Sequence, residues 1–447
     1  MTAVRVRTRA TESAGAQGTL LLDWFGGASE RTVDCGSTYM AGPRLSAIGE
    51  DLLRLGGSIY CADRVVRRAG FNDRWHRDLS LQIGVSDRAA WSAALGPLTE
   101  ALEFLSGDRW ELSLRKSAGP IRQMEDMASQ GELSAYDAVC LFSGGLDSLC
   151  GAVALLEAGK RVALVGHFEN GLAPKRQKLL ADRLASRYGP EQSRLFQLHL
   201  GPAAQAPDQM MPLPKGADRE SSFRARSMLF ISAGVALADA LGPDVPLYVP
   251  ENGFIGINVP LRATRAGSRS TRTTHPWFMD RVEESLRVLG VATPILNPFR
   301  TQTKGEVLAS VADAQGMEAL VPTSLSCSHP ESLHNFGFSP QHCGYCFPCL
   351  IRQASIHAAG MEDRTKYAFD VLRDDRFLAP DTGRAADPMA VLNSLRRPPG
   401  RFDVLRNGPV AAADVVDFSD VYRRGREELR SWLSDKGSAK VNAALGD

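Results

Sequence analysis

Between residues 136 and 365 the sequence alternates strand-like runs with helix-like runs, and this alternation is the strongest constraint on the fold. The first run, DAVCLF, is nearly continuously apolar, as a strand buried in a parallel sheet is. The strand-like runs RVALVGH, RLFQLHL and VPLYV follow, each separated from the next by a helical pattern. Parallel strands need such crossover connections. The sequence therefore predicts an α/β domain over 136–365 with a doubly wound parallel sheet.

Two further segments flank this domain. Residues 1–130 contain VRVRTR, TLLLDWF, RDLSLQIGV and RWELSLRK, which alternate apolar and polar residues as half-buried antiparallel strands do. Asp87 can cap a helix that follows the third run. We expect an N-terminal α+β domain that serves in partner docking. Residues 366–447 include DVVDFSDVYRRGREELRSWLSDKG, an amphipathic helical pattern, and predict a mainly helical C-terminal extension.

Composition excludes several classes of protein. The 447 residues carry 52 Lys plus Arg and 51 Asp plus Glu, so the net charge of +1 gives no general reason to expect nucleic-acid binding. No apolar run approaches the roughly 18 residues of a membrane span. The first residues lack the apolar stretch of a secretory signal. We expect a cytoplasmic protein with no membrane contact.

The sharpest motif is a hexapeptide between the first predicted strand and its helix. It reads Ser143-Gly144-Gly145-Leu146-Asp147-Ser148. Glycines allow a tight turn whose N–H groups face an anion, and a helix N-terminus adds its dipole. The two serines can donate to phosphate oxygens, whereas Asp147 beside a phosphate requires a bridging Mg²⁺. The alternative interpretation is a capped, glycine-rich turn without a ligand.

A second motif is a cluster of four of the eight cysteines, Cys327, Cys343, Cys346 and Cys349. The CxxCxxC spacing with a fourth thiol upstream favours a closed tetrahedral Zn²⁺ site. A [4Fe–4S] cluster or reduced core thiols are the alternatives. The nearby His329, His334 and His342 are interpreted as loop residues rather than ligands.

Together the two motifs resemble the 7-cyano-7-deazaguanine synthase (QueC-type) family of PP-loop ATP pyrophosphatases. Three further positions match in order: Arg226 in FRARSML, Lys304 after Thr303, and Ser326 before Cys327. The resemblance implies ATP, Mg²⁺ and Zn²⁺ as cofactors. It implies that the hexapeptide and His167 bind ATP, and that Asp147, Lys304 and Arg226 are catalytic.

The sequence departs from the family after the fourth strand, where it reads PENGFIGINV and then an arginine-rich run with Arg262, Arg265, Arg269 and Arg272. Glu251 and Asn252 follow a strand end, where doubly wound sheets bind ligands, and are candidate substrate residues. A loop cap is the alternative for both. The arginine-rich run is either an anion-binding lid or a solvated loop. The flanking segments make the chain similar to extended QueC-like proteins of bacterial anti-phage systems, the QatC type.

The resemblance implies adenylation of a carboxylate, 7-carboxy-7-deazaguanine, followed by amide or nitrile formation and pyrophosphate release. The extra segments lead to the hypothesis that a protein partner from the same operon supplies the amine, in anti-phage defence. A larger homo-oligomer would explain those segments equally well. A non-catalytic ATP-binding subunit is the alternative from another class. Modification of nucleic acid is disfavoured by the balanced charge.

Overall fold

The computed structural model describes residues 1–7, 18–24, 32–36, 43–116, 136–169, 171–203, 213–214, 216–261, 272–314, 316–379 and 383–446. The strands in this part of the chain are β1 (Thr2–Arg7), β2 (Leu20–Asp23), β3 (Val33–Gly36), β4 (Asp78–Val85), β5 (Arg109–Lys116), β6 (Ala138–Leu141), β7 (Val162–Phe168), β8 (Ser193–Pro202), β9 (Leu247–Tyr248) and β10 (Ile295–Leu296). The α-helices there are α1 (Ala47–Val65), α2 (Arg88–Ser106), α3 (Leu146–Glu157), α4 (Ala173–Tyr188), α5 (Arg226–Leu241), α6 (Gly253–Ile257), α7 (Pro276–Val288), α8 (Lys304–Ala309), α9 (Met317–Leu320), α10 (Phe347–Ala358), α11 (Ala386–Leu395), α12 (Val415–Lys436) and α13 (Ala439–Leu445). None of these helices is both long and apolar enough to cross a lipid bilayer.

The central sheet has six strands in the order β10-β9-β6-β7-β8-β3. Neighbours from β10 to β8 are parallel, and β3 at the edge runs antiparallel to β8. The chain proceeds from β6 to β7 and β8 on one side and then returns to β9 and β10 on the other. The predicted doubly wound parallel sheet is therefore confirmed, and its switch point lies between β6 and β9, where such sheets bind ligands.

The apolar character of β6 and β7 follows from burial of both faces of the sheet. Val139 and Val165 belong to one hydrophobic core cluster, whereas Cys140 and Leu164, their neighbours along the strands, belong to a second. Successive side chains of a strand point to opposite faces, so the two clusters lie on opposite sides of the sheet. This two-sided burial explains why the strands lack polar alternation.

The first segment forms strands at the four predicted runs, but the predicted antiparallel direction was wrong. The sheet β2-β1-β4-β5 is parallel throughout. Along β4, Leu79, Leu81 and Ile83 are buried, whereas Ser80 and Gln82 are partly exposed. The alternating pattern thus reports that one face of the sheet is better covered than the other, and it carries no information on strand direction.

Helix α1 has no counterpart in the sequence-based prediction. Its polar residues Asp51, Arg54 and Asp63 are as buried as its leucines, so it lacks the polar face by which a surface helix is recognised. Gly56 allows close packing on α5, because a Cβ there would lie 2.7 Å from Oγ of Ser232. Residues of α1 share one core cluster with the central sheet, and β3, also from the first segment, extends that sheet.

The last segment is helical and packs on the central domain. Phe418 and Tyr422 of α12 belong to the same core cluster as Phe254 of α6 and Leu350 of α10. The rings of Phe254 and Tyr422 stack with centroids 5.9 Å apart. Helix α12 therefore lies directly against the segment that follows β9.

Candidate functional site

The predicted glycine-rich loop joins β6 to α3. Gly144 has φ +83°, a left-handed conformation that glycine adopts without steric cost. Gly145 is the N-cap of α3. The N–H groups of Gly145 and Leu146 meet hydroxyl oxygens 3.2 Å away at Ser143 and 3.4 Å away at Ser326. Helix-terminal N–H groups held in this way are suited to an anion such as a phosphate.

Asp147, in the first turn of α3, receives donors from two other segments. Nζ of Lys304 lies 2.7 Å from its Oδ2, and Nδ2 of Asn252 lies 3.1 Å from the same oxygen. Oδ1 is buried and has no hydrogen-bond partner among the described residues. The structure thus brings together three predicted site residues: Asp147, which follows β6, Asn252, which follows β9, and Lys304, which begins α8. The unpartnered carboxylate oxygen is the ligand type that Mg²⁺ prefers.

The two serines of the loop lie on either side of its turn. Ser143 is exposed and Ser148 is buried, and their hydroxyl oxygens are 3.2 Å apart. The side-chain amide of Gln177 donates to the backbone carbonyls of Ser143, at 3.3 Å, and of His167, at 3.4 Å. Gln177 therefore ties the loop to the end of β7. Sequence reasoning missed it, because nothing in the pattern of α4 distinguishes a buried glutamine from a surface one.

Glu251 and Asn252 both have structural contacts beside the loop. Asn252 caps α6 by accepting the N–H of Ile255 at 3.0 Å while its amide donates to Asp147. The hydroxyl of Thr274 donates to Oε2 of Glu251 at 2.6 Å. Burial of Glu251 raises the pKa of its carboxyl group to about 7, and the charge of Asp147 adds to that rise.

Arg226, at the start of α5, is held by His167. Its Nε donates to Nδ1 of the imidazole at 3.3 Å, and its Nη2 donates to the backbone carbonyl of His167 at 3.0 Å. Nε2 of His167 donates to the carbonyl of Leu200 at 2.8 Å. Burial lowers the pKa of His167 to about 3, so the ring is neutral at pH 7. Both ring nitrogens of His167 are therefore engaged, and the residue holds the guanidinium of Arg226.

Side chains from α1 lie next to Arg226 and were not predicted as part of the site. The hydroxyl of Tyr60 donates to Oε2 of Glu169 at 2.8 Å, and Nε of Arg64 donates to the same oxygen at 3.1 Å. The ring of Tyr60 meets that of His167 edge-on, with centroids 5.1 Å apart. Tyr60 and Glu169 are 109 positions apart in the chain, so no local motif could have revealed the contact.

The four predicted metal ligands converge. The sulfur atoms of Cys327, Cys343, Cys346 and Cys349 all lie within 4.8 Å of one another. The pairs Cys343–Cys349 and Cys327–Cys346 are 3.9 and 4.0 Å apart. A Zn–S bond of about 2.3 Å places the corners of a tetrahedron about 3.8 Å apart, which agrees with both distances. A [4Fe–4S] cluster binds each thiolate to a different iron and separates the sulfurs further.

The surroundings of the cluster agree with a closed structural site. The N–H groups of His329 and Cys343 point at Sγ of Cys327 from 3.3 Å, and such contacts stabilise a thiolate. Nε2 of His342 accepts the N–H of Ser326 at 3.2 Å and is not directed at the cluster. The side chain of His334 lies outside the described residues. Four thiolates leave no open position, so zinc bound here would be structural.

The arginine-rich run is described only at its end. Arg262, Arg265 and Arg269 lie outside the described residues. Arg272 is buried; its Nη1 donates to the carbonyl of Phe104 at 2.8 Å, and its Nε donates to Oδ1 of Asn407 at 3.2 Å. Arg272 therefore joins the first and last segments of the chain and is neither a lid residue nor part of a solvated loop.

No protein-family model matches the chain. Curated proteins named 7-cyano-7-deazaguanine synthase do match. The protein of Novosphingobium aromaticivorans is 30% identical over 242 residues, which are 52% of this chain and 94% of that protein. The "7-cyano-7-deazaguanine synthase 1" of Sphingopyxis alaskensis is 29% identical over 251 residues, which are 53% of this chain and 100% of that protein. The protein of Methanocaldococcus jannaschii is 26% identical over 249 residues, which are 52% of this chain and 98% of that protein. The relatives thus match over nearly their whole length and cover about half of this chain.

Glu251→Gln should change the pH dependence of stability. The folded-state pKa of about 7 lies above the ordinary value of 4.5, so the folded state binds this proton more tightly. The bound proton on Glu251 therefore stabilises the folded state fully below pH 4.5, and this stabilisation is lost as the pH rises through 7. Thermal unfolding should show the variant gaining stability over wild type at pH 8 but not at pH 4.5. The exposed Glu191→Gln is the control; equal effects at both pH values would contradict the assignment.

The cysteine cluster should contain zinc. Elemental analysis of the purified protein should find about one Zn²⁺ per chain, because the donor set and spacing fit one tetrahedral ion. Cys346→Ser should lose the metal and lower the melting temperature, since metal binding contributes to folding. Cys140→Ala, a buried cysteine outside the cluster, should keep the zinc. Iron with visible absorbance, or a stable metal-free protein, would overturn the assignment.

Proposed function

Because the chain belongs to the 7-cyano-7-deazaguanine synthase family, we propose that it uses ATP to activate a carboxylate, that of 7-carboxy-7-deazaguanine, and converts it to an amide or a nitrile. The observation that carries this proposal is the position of Asp147. It lies at the start of α3 between Lys304 and Asn252, at the switch point of the sheet. A glycine loop, an unpartnered carboxylate oxygen and a lysine in one place suit the triphosphate of ATP.

The residues around the loop have distinct proposed roles in binding ATP. The N–H groups of Gly145 and Leu146 and the hydroxyls of Ser143 and Ser148 would donate to phosphate oxygens. Gly144 provides the turn that brings this backbone close to the ligand. Asp147 would hold Mg²⁺, which neutralises charge on the phosphates when it is bound.

The first chemical step is adenylation. A carboxylate oxygen of the substrate attacks the α-phosphorus of ATP, the bond from that phosphorus to the bridging oxygen breaks, and pyrophosphate leaves with the electron pair. Negative charge therefore grows on the leaving group. In this proposal Lys304 and Arg226 are the cations that would stabilise it, and positioned charges of this kind are usually the largest contribution to lowering such a barrier. Arg226 has no ion-pair partner among the described residues, which leaves its charge available.

The second step consumes the acyl-adenylate. An amine nitrogen attacks the activated carbonyl carbon, a C–N bond forms, and AMP leaves with the former carboxylate oxygen while the nitrogen loses a proton. If the amine is ammonia, the product is a primary amide. A second adenylation, at the amide oxygen with loss of one N–H proton, gives an adenylated imidate. Loss of AMP and of the remaining N–H proton then gives the nitrile. Adenylation alone activates both steps, so no nucleophilic cysteine is needed.

The substrate end of the site would include Glu251 and Asn252. Glu251 follows Pro250 at the end of β9, next to Asp147, and its pKa of about 7 allows it to accept or to donate a proton in a hydrogen bond. A group of that kind can pair with the N–H and NH₂ edge of a guanine-like base. Thr274 orients the carboxyl group through its hydroxyl.

We further propose that the amine belongs to a partner protein from the same operon and that the reaction serves anti-phage defence. The support is architectural: about half of the chain extends beyond the relatives that match it. The first segment also places Tyr60 and Arg64 against Glu169, which follows β7, so this segment adjoins the proposed site. An acyl-adenylate reacts with whichever amine the pocket orients.

Asp147→Ala and Asp147→Asn should abolish pyrophosphate release and leave the fold intact. We expect a loss of at least about 100-fold, because the carboxylate organises the charge at the reacting phosphates. The assay is pyrophosphate release with ATP and 7-carboxy-7-deazaguanine, with melting temperature as the check on folding. Asp182→Asn, an exposed position of α4, is the control. Normal turnover by folded Asp147→Ala would contradict the site, and wild type that binds ATP without turnover would favour a non-catalytic subunit.

Intact-mass spectrometry of operon partners co-expressed with this chain decides the identity of the amine. A partner that receives the substrate should gain the mass of a deazaguanine acyl group with wild type and not with Asp147→Ala. If no partner gains a mass that depends on Asp147, the protein-ligation hypothesis fails. Ammonia would then be the amine, and the product would be a small molecule.

A further inference from the structure

We propose that Glu428, in helix α12, is a positioning residue that fixes Lys304 against Asp147. The proposal rests on the proposed function for the meaning of Lys304, but the contacts that carry it are independent of substrate. Helix α12 lies in the last segment of the chain, far in sequence from the predicted site residues.

The carboxylate of Glu428 contacts the residues on both sides of Lys304, the side chain of the preceding residue and the backbone of the following one. Oε1 accepts the hydroxyl hydrogen of Thr303, and Oε2 accepts the N–H of Gly305 at 3.2 Å. The approach is close, because a Cβ on Gly305 would lie 2.5 Å from Oε1 of Glu428. The residue that pairs with Asp147 is therefore held between two hydrogen bonds to one carboxylate.

The same carboxylate orders the cap of α8. The oxygen of Thr303 accepts the N–H of Glu306 at 3.1 Å, and Glu306 accepts the N–H of Thr303 at 2.9 Å, which is a capping box. A threonine hydroxyl has a single hydrogen. Because Glu428 accepts that hydrogen, the lone pairs on the Thr303 hydroxyl oxygen are free to accept the N–H of Glu306 in the first turn of α8. Lys304 is the first residue of the helix fixed in this way.

A second side chain of α12 contacts the same turn. Nε of Arg424, one helical turn before Glu428, donates to Oε1 of Glu306 at 2.6 Å, and its Nη2 donates to the carbonyl of Thr301 at 2.9 Å. Residues four apart lie on one face of a helix. One face of α12 thus contacts the residues on both sides of Lys304: Glu428 accepts from Thr303 and Gly305, and Arg424 donates to Glu306 and Thr301.

The same helix also supports the segment that presents Asn252. Gly425 lies so close to α6 that a Cβ there would be 2.5 Å from the ring of Phe254. A Cβ on Gly253 would lie 3.3 Å from Val421. Both donors to Oδ2 of Asp147 therefore belong to segments packed on α12. This shared support is the reason to assign the helix a role in the site rather than in packing alone.

The test compares Glu428→Gln with Glu427→Gln, its exposed neighbour on the same helix. An amide at position 428 must turn an NH₂ group toward one of two donors, the hydroxyl of Thr303 or the N–H of Gly305. The assay is run at pH 8, because burial raises the pKa of Glu428 to about 7. We expect kcat for pyrophosphate release to fall about 10- to 100-fold in Glu428→Gln, the effect of a small misplacement of a catalytic group. KM for ATP should change much less.

A double-mutant cycle with Thr303→Val separates positioning from general destabilisation. If Glu428 acts through the Thr303 hydroxyl, the double variant should be about as slow as the slower single variant, because coupled residues are not additive. Additive losses, or full kcat in Glu428→Gln, would overturn the proposal.

Hydrogen–deuterium exchange of the free protein decides the proposal even if the proposed function fails. Backbone amides of residues 303–309 should exchange faster in Glu428→Gln than in wild type or in Glu427→Gln. Unchanged exchange would overturn the positioning role. A wild-type protein that releases no pyrophosphate, with exchange changed as expected, would instead refute the proposed function and leave the positioning role standing.

Discussion

The carboxylate of Asp147 is the point on which the rest of the site depends. A charged group at the start of a buried helix is costly unless its oxygens are satisfied. One oxygen accepts from Lys304 and Asn252, which belong to two different crossover segments, and the other has no hydrogen-bond partner among the described residues. The strand order forces those segments together at the switch point of the sheet. The fold therefore brings the two donors to this carboxylate together at the carboxyl ends of the parallel strands.

Features with a local signature could be predicted from the sequence. The parallel sheet follows from β6 and β7, whose burial on both faces removes polar alternation. The loop and the four cysteines follow from short motifs whose chemistry is contained in a few residues. Strand direction in the first sheet could not be predicted, because alternation measures only how far each face is covered. Helix α1 was hidden for a related reason, since its charges are buried together with its leucines.

Contacts between distant segments were beyond sequence reasoning. Asp147 and Lys304 were both predicted as site residues, but nothing in the sequence states that they form an ion pair. Glu428 and Tyr60 lie in the flanking segments, where no site residue was predicted, and each reaches the site only through tertiary packing. His167 was assigned to ATP, yet its ring is buried and holds Arg226. Motifs thus identify candidate site residues, whereas the residues that hold them in place become visible only in the fold.

The short edges of the central sheet limit one way in which this chain could associate with another molecule. In the part of the chain that the structure describes, one edge is the four-residue β3 and the other is the two-residue β10. Strands of that length offer few backbone N–H and C=O groups to an added strand, which is how many proteins avoid edge-to-edge pairing. The sheet is thus poorly suited to extension across a molecular boundary, in a homo-oligomer or in a complex. A partner that approaches either of these two edges would therefore be recognised mainly by side chains, and such contacts can be specific to one partner.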